Sequence, residues 1–481
     1  MNYKAIGFVL AWVLKIEGFL LLLPCLIGLI YQEKQGLIYL AFAAGAIILG
    51  WALSFKKPAN MSIYRKEGFV TVGLAWIVMS VYGALPFVAT GEIPDYIDAL
   101  FEIISGFTTT GSSILTDVEA LSHVSLMWRS FSHWIGGMGV LVFVLMLIPT
   151  QKGSHMNLMK AESPGPDVSK FVPRVRDTAK ILYKIYFAMT IAQIIILLCS
   201  GMYWFDSLCI TFGSAGTGGF GILNTSCASY TPFQQWVITI FMIAFGLNFA
   251  FYYLLLCRKA KEAFGMEEVR TYLLIILGSI AIITLNTYGT GMYDSFADTL
   301  RGAAFQVGSI ITTTGYSSVN FDLWPSLSKT ILVMLMFIGA CAGSTGGGIK
   351  VSRVILSFRS VWSELHSIAN TRSVKKIRMD GKTISHDVLR SVYAFLTAYF
   401  IIFAISFLLV SLSGFDMETN FTAVAATLNN IGPGMAGVGP SANFAGYGIL
   451  PKLVMCFDML AGRLEIFPIL AVFAPGMWRK N

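Results

Sequence analysis

The sequence predicts an all-α polytopic membrane protein: four repeats of span, half-helix, polar loop and span around one axis, behind two extra N-terminal transmembrane helices. Three observations lead there. Of the 481 residues, 56% are hydrophobic and only 12% charged, against about 25% charged in an ordinary soluble domain. Ten apolar runs are long enough to cross a bilayer, which takes about 20 residues. A Gly-containing polar segment follows a short semi-apolar run four times, at near-regular intervals.

The first apolar run, Ala5 to Tyr31, is too long for a signal-peptide core and no A-x-A site follows it, so it reads as a retained helix. A second run, 37–55, completes the leading pair. The remaining spans are 69–90, 126–149, 181–201, 233–257, 271–289, 328–357, 389–413 and 449–475. The shorter runs are 95–108, 204–215, 294–312 and 416–429, each roughly half a crossing as a helix. Acidic residues stand at or near their starts: Asp95 and Asp98, Asp206, Asp294 and Asp298, Asp416 and Glu418. Carboxylates suit the positive end of a helix dipole. The chain divides into residues 1–66, the leading helices, and four units: 67–160, 161–262, 263–372 and 373–481.

After the half-helices come "TTTGSS" (108–113), "GTGGFG" (216–221), "TTTGYSS" (312–318) and "NNIGPG" (429–434). They align on Gly111, Gly218, Gly315 and Gly432, more loosely in the second and fourth copies. Basic residues cluster in 56–66, 152–184, 258–261, 350–382 and the last four residues, all on one side if every span is crossed in turn. Glu92, Asp117, Glu119 and Asp322 fall on the other. The positive-inside rule then puts both termini in the cytoplasm and brings the half-helices in from outside. The net charge of +8 is thus a topology signal and implies no nucleic acid. Short tails suit a bacterial inner membrane.

Each unit contains two full spans, so all four share one orientation and an axis along the membrane normal. Their half-helices converge with C-terminal, partially negative ends inward, which favours a cation. Irregular backbone at membrane depth is tolerated where it lines a water-filled cavity, so the polar loops line a central pore. Glycine admits φ > 0 and turns carbonyls toward the axis, and a carbonyl ring can replace the hydration shell of K⁺. No loop carries an acidic residue, which points to a weakly hydrated monovalent cation. The alternative, ordinary re-entrant turns or interfacial loops, suits one copy better than four.

The run "AGSTGGGIK" (342–350) interrupts the eighth span. Each glycine costs about 1 kcal/mol relative to Ala in a helix, so the run unwinds into a loop; the alternative is a close helix crossing. Arg463 and Glu465 sit near the middle of the tenth span, where charges face protein or water. Two residues apart, they need different partners; Lys350 is a candidate for Glu465, and bracing of helix packing is the alternative role. Lys15 and Glu17 in the first span read as structural. His133, in "SFSHWIGGMG" near the outer end of the fourth span, reads as a hydrogen-bonded packing residue. The seven cysteines form no C-x-x-C and read as apolar fillers, with a Cys209–Cys227 pair as the alternative. No Ser-His-Asp, H-E-x-x-H or Walker pattern occurs, so the chain is not read as an enzyme. His pairs at haem spacing and acidic clusters in the spans, expected of a respiratory subunit, are missing too.

The motifs "FTTTGSS", "GTGGFG", "ITTTGYSS", "NNIGPG", "GACAGSTGGGIKVSR" (339–353) and "AGRLEIFPIL" (461–470) resemble the Trk/Ktr/HKT superfamily of K⁺ transporters and channels, from about residue 69 to the end. The two leading spans make the chain most similar to the TrkH branch. The resemblance implies four joined M1–P–M2 units. It implies a K⁺-binding filter of Thr109, Thr110 and Gly111; Gly216, Thr217 and Gly218; Thr313, Thr314 and Gly315; and Asn430, Ile431 and Gly432. Glycine in all four copies goes with K⁺ preference in this group; serine in the first goes with Na⁺ transport in some plant members. The implied gate is the intramembrane loop Gly343, Ser344, Thr345, Gly346, Gly347, Gly348 and Lys350, with Arg463 bonded to it and Glu465 nearby. K⁺ is then the transported ion, and no cofactor is covalently bound. The implied partners are a second copy in a homodimer and a cytoplasmic nucleotide-binding regulatory subunit of the TrkA type, with basic loops 152–184 and 350–382 as docking surfaces. The expected function is K⁺ uptake through a gated pore. A Na⁺- or H⁺-coupled K⁺ symporter, or a Na⁺-conducting transporter on the same fold, is the alternative. The lack of ionisable residues in the filter loops favours simple conduction.

Overall fold

A computed structural model describes residues 1–139, 175–369 and 376–478. The leading helices are α1 (Tyr3–Leu20), α2 (Leu22–Tyr31) and α3 (Gln35–Leu53). The first unit follows as α4 (Arg65–Gly83), α5 (Leu85–Thr90), α6 (Tyr96–Phe107) and α7 (His123–Gly137). The second is α8 (Val175–Cys199), α9 (Trp204–Gly216), α10 (Pro232–Phe245) and α11 (Phe249–Leu256), with a short α12 (Ala260–Gly265) after it. The third is α13 (Glu267–Tyr288), α14 (Phe296–Ile311), α15 (Ser326–Ile338) and α16 (Val351–Ala369). A two-stranded antiparallel hairpin, β1 (Arg378–Met379) and β2 (Lys382–Thr383), leads to the fourth: α17 (His386–Val410), α18 (Met417–Leu428), α19 (Ile449–Arg463), α20 (Phe467–Phe473) and α21 (Pro475–Trp478).

The first helix of each unit is long and apolar; in the second, third and fourth units the second helix is bent or broken. Among the described residues six helices are long and apolar enough to cross a membrane: Tyr3–Tyr31, Gln35–Leu53, Arg65–Thr90, Lys180–Cys199, Glu267–Tyr288 and His386–Ser413. Exposed side chains such as Leu29, Leu274, Leu285 and Leu408 suit contact with lipid. Besides the eighth span, whose interruption the glycines predict, the sixth and tenth runs expected from hydropathy as single spans are also broken. α10 and α11 form a pair bent by 91°. α15 and α16 are parted by residues 339–350, and α19 and α20 by residues 464–466. The physical reason is position: these second helices carry polar backbone and charge on the inside of the bundle. The end of the fourth span, 140–149, lies outside the described residues, as do the unit boundaries at 160/161 and 372/373.

The half-helices α6, α9, α14 and α18 are buried over most of their length. Three are capped by side chains. Asp95 accepts from the N–H of Ile97 and Asp98 at 2.8 and 3.1 Å, Ser295 from Asp298 at 3.1 Å, and Asp416 from Thr419 at 2.8 Å. α9 has no side-chain cap, but Asp206 lies in its first turn. The Thr419 hydroxyl and N–H hold the Asp416 carboxyl below its ordinary range, and the Ser295 hydroxyl does the same for Asp298. Both stay ionised at the positive ends of their helices.

Candidate functional site

Each half-helix ends in the same backbone turn. The N–H of Thr110, Gly218, Thr314 and Ile431 reaches back five residues to the carbonyls of Ser105, Gly213, Ser309 and Ala426, at 2.8, 2.8, 2.8 and 2.9 Å. The residue before each donor is left-handed: Thr109, Thr217, Thr313 and Asn430 have φ of 56, 56, 59 and 56°. The residue after each donor is a left-handed glycine: Gly111, Gly219, Gly315 and Gly432.

This geometry corrects the second copy. Gly219, not Gly218, is the counterpart of Gly111, and Gly216 is the last residue of α9 rather than part of the extended segment. "GTGGFG" holds glycine at both candidate positions, so sequence alignment could not choose; the backward hydrogen bond does.

The four turns close on one another. A Cβ on Gly111 would run into the Gly218 carbonyl, one on Gly219 into Thr314, one on Gly315 into Ile431, and one on Gly432 into Thr110. The order of contacts is a closed ring, and its packing admits no side chain at these glycines. The hydroxyls of Thr110 and Thr314 pair with those of Thr108 and Thr312 in their own turns, at 2.8 and 2.7 Å. The carbonyls of Thr109, Thr110, Thr217, Gly218, Thr313, Thr314, Asn430 and Ile431 accept no hydrogen bond from any described residue. Buried backbone carbonyls are rarely left so, and a dehydrated cation is the partner such groups suit.

Above the ring lies a cavity of about 260 Å³ lined by Gly111, Gly219, Gly315 and Gly432, one from each turn. Arg129 is the one charged residue among those lining it. Its guanidinium pairs with Glu102 at 2.8 Å, donates to the Gly221 carbonyl at 3.2 Å and lies 4.1 Å from the centre of the Phe220 ring. Glu102 in turn accepts from the Ser113 hydroxyl and the Ile114 N–H, both at 3.0 Å. This buried pair ties the first turn to the second. It was overlooked in the sequence, although Arg129 and Glu102 stand in apolar runs, where charge is rare and purposeful.

His133 also sits deeper than its place near the outer end of a span suggests. Its Nδ1 faces the Gly106 carbonyl at 2.8 Å, and its Nε2 accepts the Phe220 N–H at 3.1 Å. It packs behind Gly218, where a Cβ would meet the imidazole. The fourth and first units are joined by Lys452 and Asp98, 2.5 Å apart. All seven cysteines are free.

Beneath the ring, residues 339–350 run as an unwound loop. The Gly347 N–H donates to the Thr313 hydroxyl at 2.6 Å. Cβ atoms on Gly346 and Gly347 would strike the carbonyls of Thr312 and Asn429, so only glycine lets the strand lie this close. Gly343 and Gly348 have φ of 69 and 77°. Ser344 folds back on the Cys341 carbonyl at 2.7 Å, and Thr345 donates to the Phe245 carbonyl at 3.2 Å. The Lys350 ammonium donates to the Gly346 carbonyl within the loop.

Arg463 is the last residue of α19, at the break rather than inside a helix. It donates to the Thr345 carbonyl at 2.6 Å and to the carbonyls of Gly136 and Gly137, the latter at 2.8 Å. The loop and Arg463 thus touch groups packed under all four turns. Glu465, left-handed at φ 54°, pairs with Arg353 at 2.5 Å and not with Lys350. Lys350 is turned into its own loop, and Arg353, in the first turn of α16, is the cation that reaches the break after α19.

The family profile described as TrkH, cation transport protein, matches residues 38–480. The chain is 34% identical over 490 residues to the Trk system potassium uptake protein TrkH of Salmonella typhimurium, covering all of both chains. It is 31% identical to the Trk system potassium uptake protein TrkG of Escherichia coli K12, over 95% of each. The crystal structure of the potassium transporter TrkH from Vibrio parahaemolyticus superposes with a TM-score of 0.90 at 29% identity, over the whole of both chains. These relatives are transporters, not enzymes. The chain is a multi-pass membrane protein that belongs to the TrkH family of cation transport proteins.

Proposed function

We propose that this chain is the ion-conducting subunit of a K⁺ uptake system. K⁺ passes a filter of backbone carbonyls and is stopped by the loop beneath it. The observation that carries this reading is the closed ring of four turns whose buried carbonyls have no hydrogen-bond donor among the described residues. The filter is Thr109–Gly111, 217–219, Thr313–Gly315 and Asn430–Gly432, and K⁺ binds there as cargo. Residues 343–350, with Arg463, form the gate; Glu465 and Arg353 anchor the helices on either side of it. Units 67–160, 161–262, 263–372 and 373–481 supply one filter segment each. The names of the relatives, two potassium uptake proteins and a potassium transporter, support K⁺ as the ion. Glycine at all four ring positions supports preference for K⁺ over Na⁺.

The protein sits in the bacterial inner membrane with both termini in the cytoplasm, as the basic loops favour. A cytoplasmic nucleotide-binding subunit of the TrkA type controls it, since the sequence carries no nucleotide site of its own. The active form is a homodimer. Phe358, Val361, Trp362, Leu365 and Ile368 form an exposed apolar stripe on α16 that supports contact with a second copy. The decisive experiment is cation flux from KCl-loaded liposomes containing the purified protein. Flux of K⁺ and Rb⁺ above Na⁺ and Li⁺ without any proton gradient is the expected result. Flux only under a proton or Na⁺ gradient would make the protein a coupled symporter instead.

A further inference from the structure

Glu268 stands at the start of α13, is 4% exposed, and has no part in the ring. Its Oε1 accepts two backbone N–H groups: Ala342 at 2.7 Å and Ser352 at 3.1 Å. Ala342 immediately precedes the loop 343–350, and Ser352 lies in the first turn of α16 just after it. One carboxylate oxygen therefore pinches the neck of the loop. Its other oxygen faces the Asn248 side-chain amide at 3.5 Å. Asn248 caps α11 through Ala250, at 2.9 Å, and the neighbouring Phe249 N–H donates to the Gly343 carbonyl at 3.1 Å. The bend of the second unit and both ends of the loop thus meet at this one side chain.

We infer that Glu268 is a positioning residue that latches the loop in its place under the ring. The inference rests on the reading of that loop as the gate. Two facts make a latch the natural role. The Ser352 N–H belongs to the open first turn of a helix, which has no partner inside the helix and favours an anion. Hydrogen bonds to an ionised acceptor are also roughly twice as strong as neutral ones. With both ends held, the loop can leave the Thr313 hydroxyl only by rotation within its own glycines. With the neck released, the whole segment can swing.

The test is K⁺ flux through liposomes carrying Glu268→Ala, Glu268→Asp, Glu268→Gln or, as a comparator, Arg463→Ala, each normalised to incorporated protein. Glu268→Ala removes both backbone hydrogen bonds to the carboxylate and should raise flux by roughly tenfold or more, the factor carried by a single charge-assisted bond. Glu268→Asp keeps the charge but is one methylene too short to reach both N–H groups, and should raise flux by a smaller factor. Glu268→Gln retains a carbonyl oxygen at the same reach but loses the charge, and should raise flux by a smaller factor than Glu268→Ala. The K⁺ over Na⁺ ratio should not change in any of the three, because the ring is untouched. If Glu268→Ala does not fold, the Asp and Gln pair still decides. Flux that is unchanged or lower in Glu268→Asp, with Arg463→Ala raised, overturns the latch and leaves the gate standing. Unchanged flux in all four variants overturns the gate and the latch with it.

Discussion

The ring and the loop beneath it are built by opposite means. The ring applies one backbone rule four times. A half-helix ends, one N–H reaches back five residues, and two left-handed residues flank the donor. The loop exists once and is held by single side chains from scattered places: Arg463 from the fourth unit, Glu268 from the start of the third, the Thr313 hydroxyl from above. A task performed by repeated backbone is rigid, because each turn is wedged against the next. A task performed by a few side chains can be undone by losing one of them, which is what a switch between two arrangements requires.

The largest effect that would break this contrast comes from the buried Arg129–Glu102 ion pair beside the ring. Arg129→Met leaves Glu102 buried without its cation, and such a loss costs about 3–5 kcal/mol. Thermal unfolding in detergent should show it as a lower transition, largely recovered when Glu102→Gln is added. A transition that does not move would mean the ring holds itself together without the pair.

Next come the glycines. Gly219→Ser and Gly315→Ser should each reduce K⁺ over Na⁺ permeability by roughly tenfold, equivalent to about 1.4 kcal/mol, because both are ring positions that admit no Cβ. Gly218→Ser should instead push on His133 and lower stability. Equal selectivity loss at 218 and intact selectivity at 219 would restore the other register.

Arg463→Ala acts on the loop. It should raise K⁺ flux several-fold and leave selectivity unchanged; flux that falls would show that the arginine serves the conducting arrangement. The smallest effect is expected at the hairpin of β1 and β2. There Asp380 accepts the N–H of Glu267 at 2.8 Å, next to Glu268, and Glu267 pairs with Arg359 at 2.7 Å. Asp380→Ala removes that cap, worth about 1 kcal/mol. A slight rise in flux, well below that of Glu268→Ala, would tie the hairpin to the loop; no change would confine control to Glu268.

The half-helices were legible almost to the residue. The runs at 95–108, 204–215, 294–312 and 416–429 fold as 96–107, 204–216, 296–311 and 417–428, since an acidic start and a glycine-rich end mark both limits. The unwound loop was legible as well, because four glycines in nine residues cannot sit in a lone helix at small cost. Hydropathy overstated the second helix of the second and fourth units, as it does not register a bend such as the 91° turn between α10 and α11. The register of "GTGGFG" and the partners of Glu465 and Glu268 were not legible. Nothing local distinguishes Gly218 from Gly219, and a carboxylate's partner far along the chain leaves no mark near it.

The sequence alone set what depends on composition and local period: a membrane solvent, four half-helices, loops without acid, and glycine where the backbone must turn. Tertiary structure decided what depends on which surfaces meet. It fixed which glycine faces which carbonyl, which buried charge answers which, and that Arg463 reaches from the fourth unit to the loop of the third. A backbone turn is governed by residues within five positions of it, whereas a buried charge is neutralised by whatever the fold brings within about 3 Å.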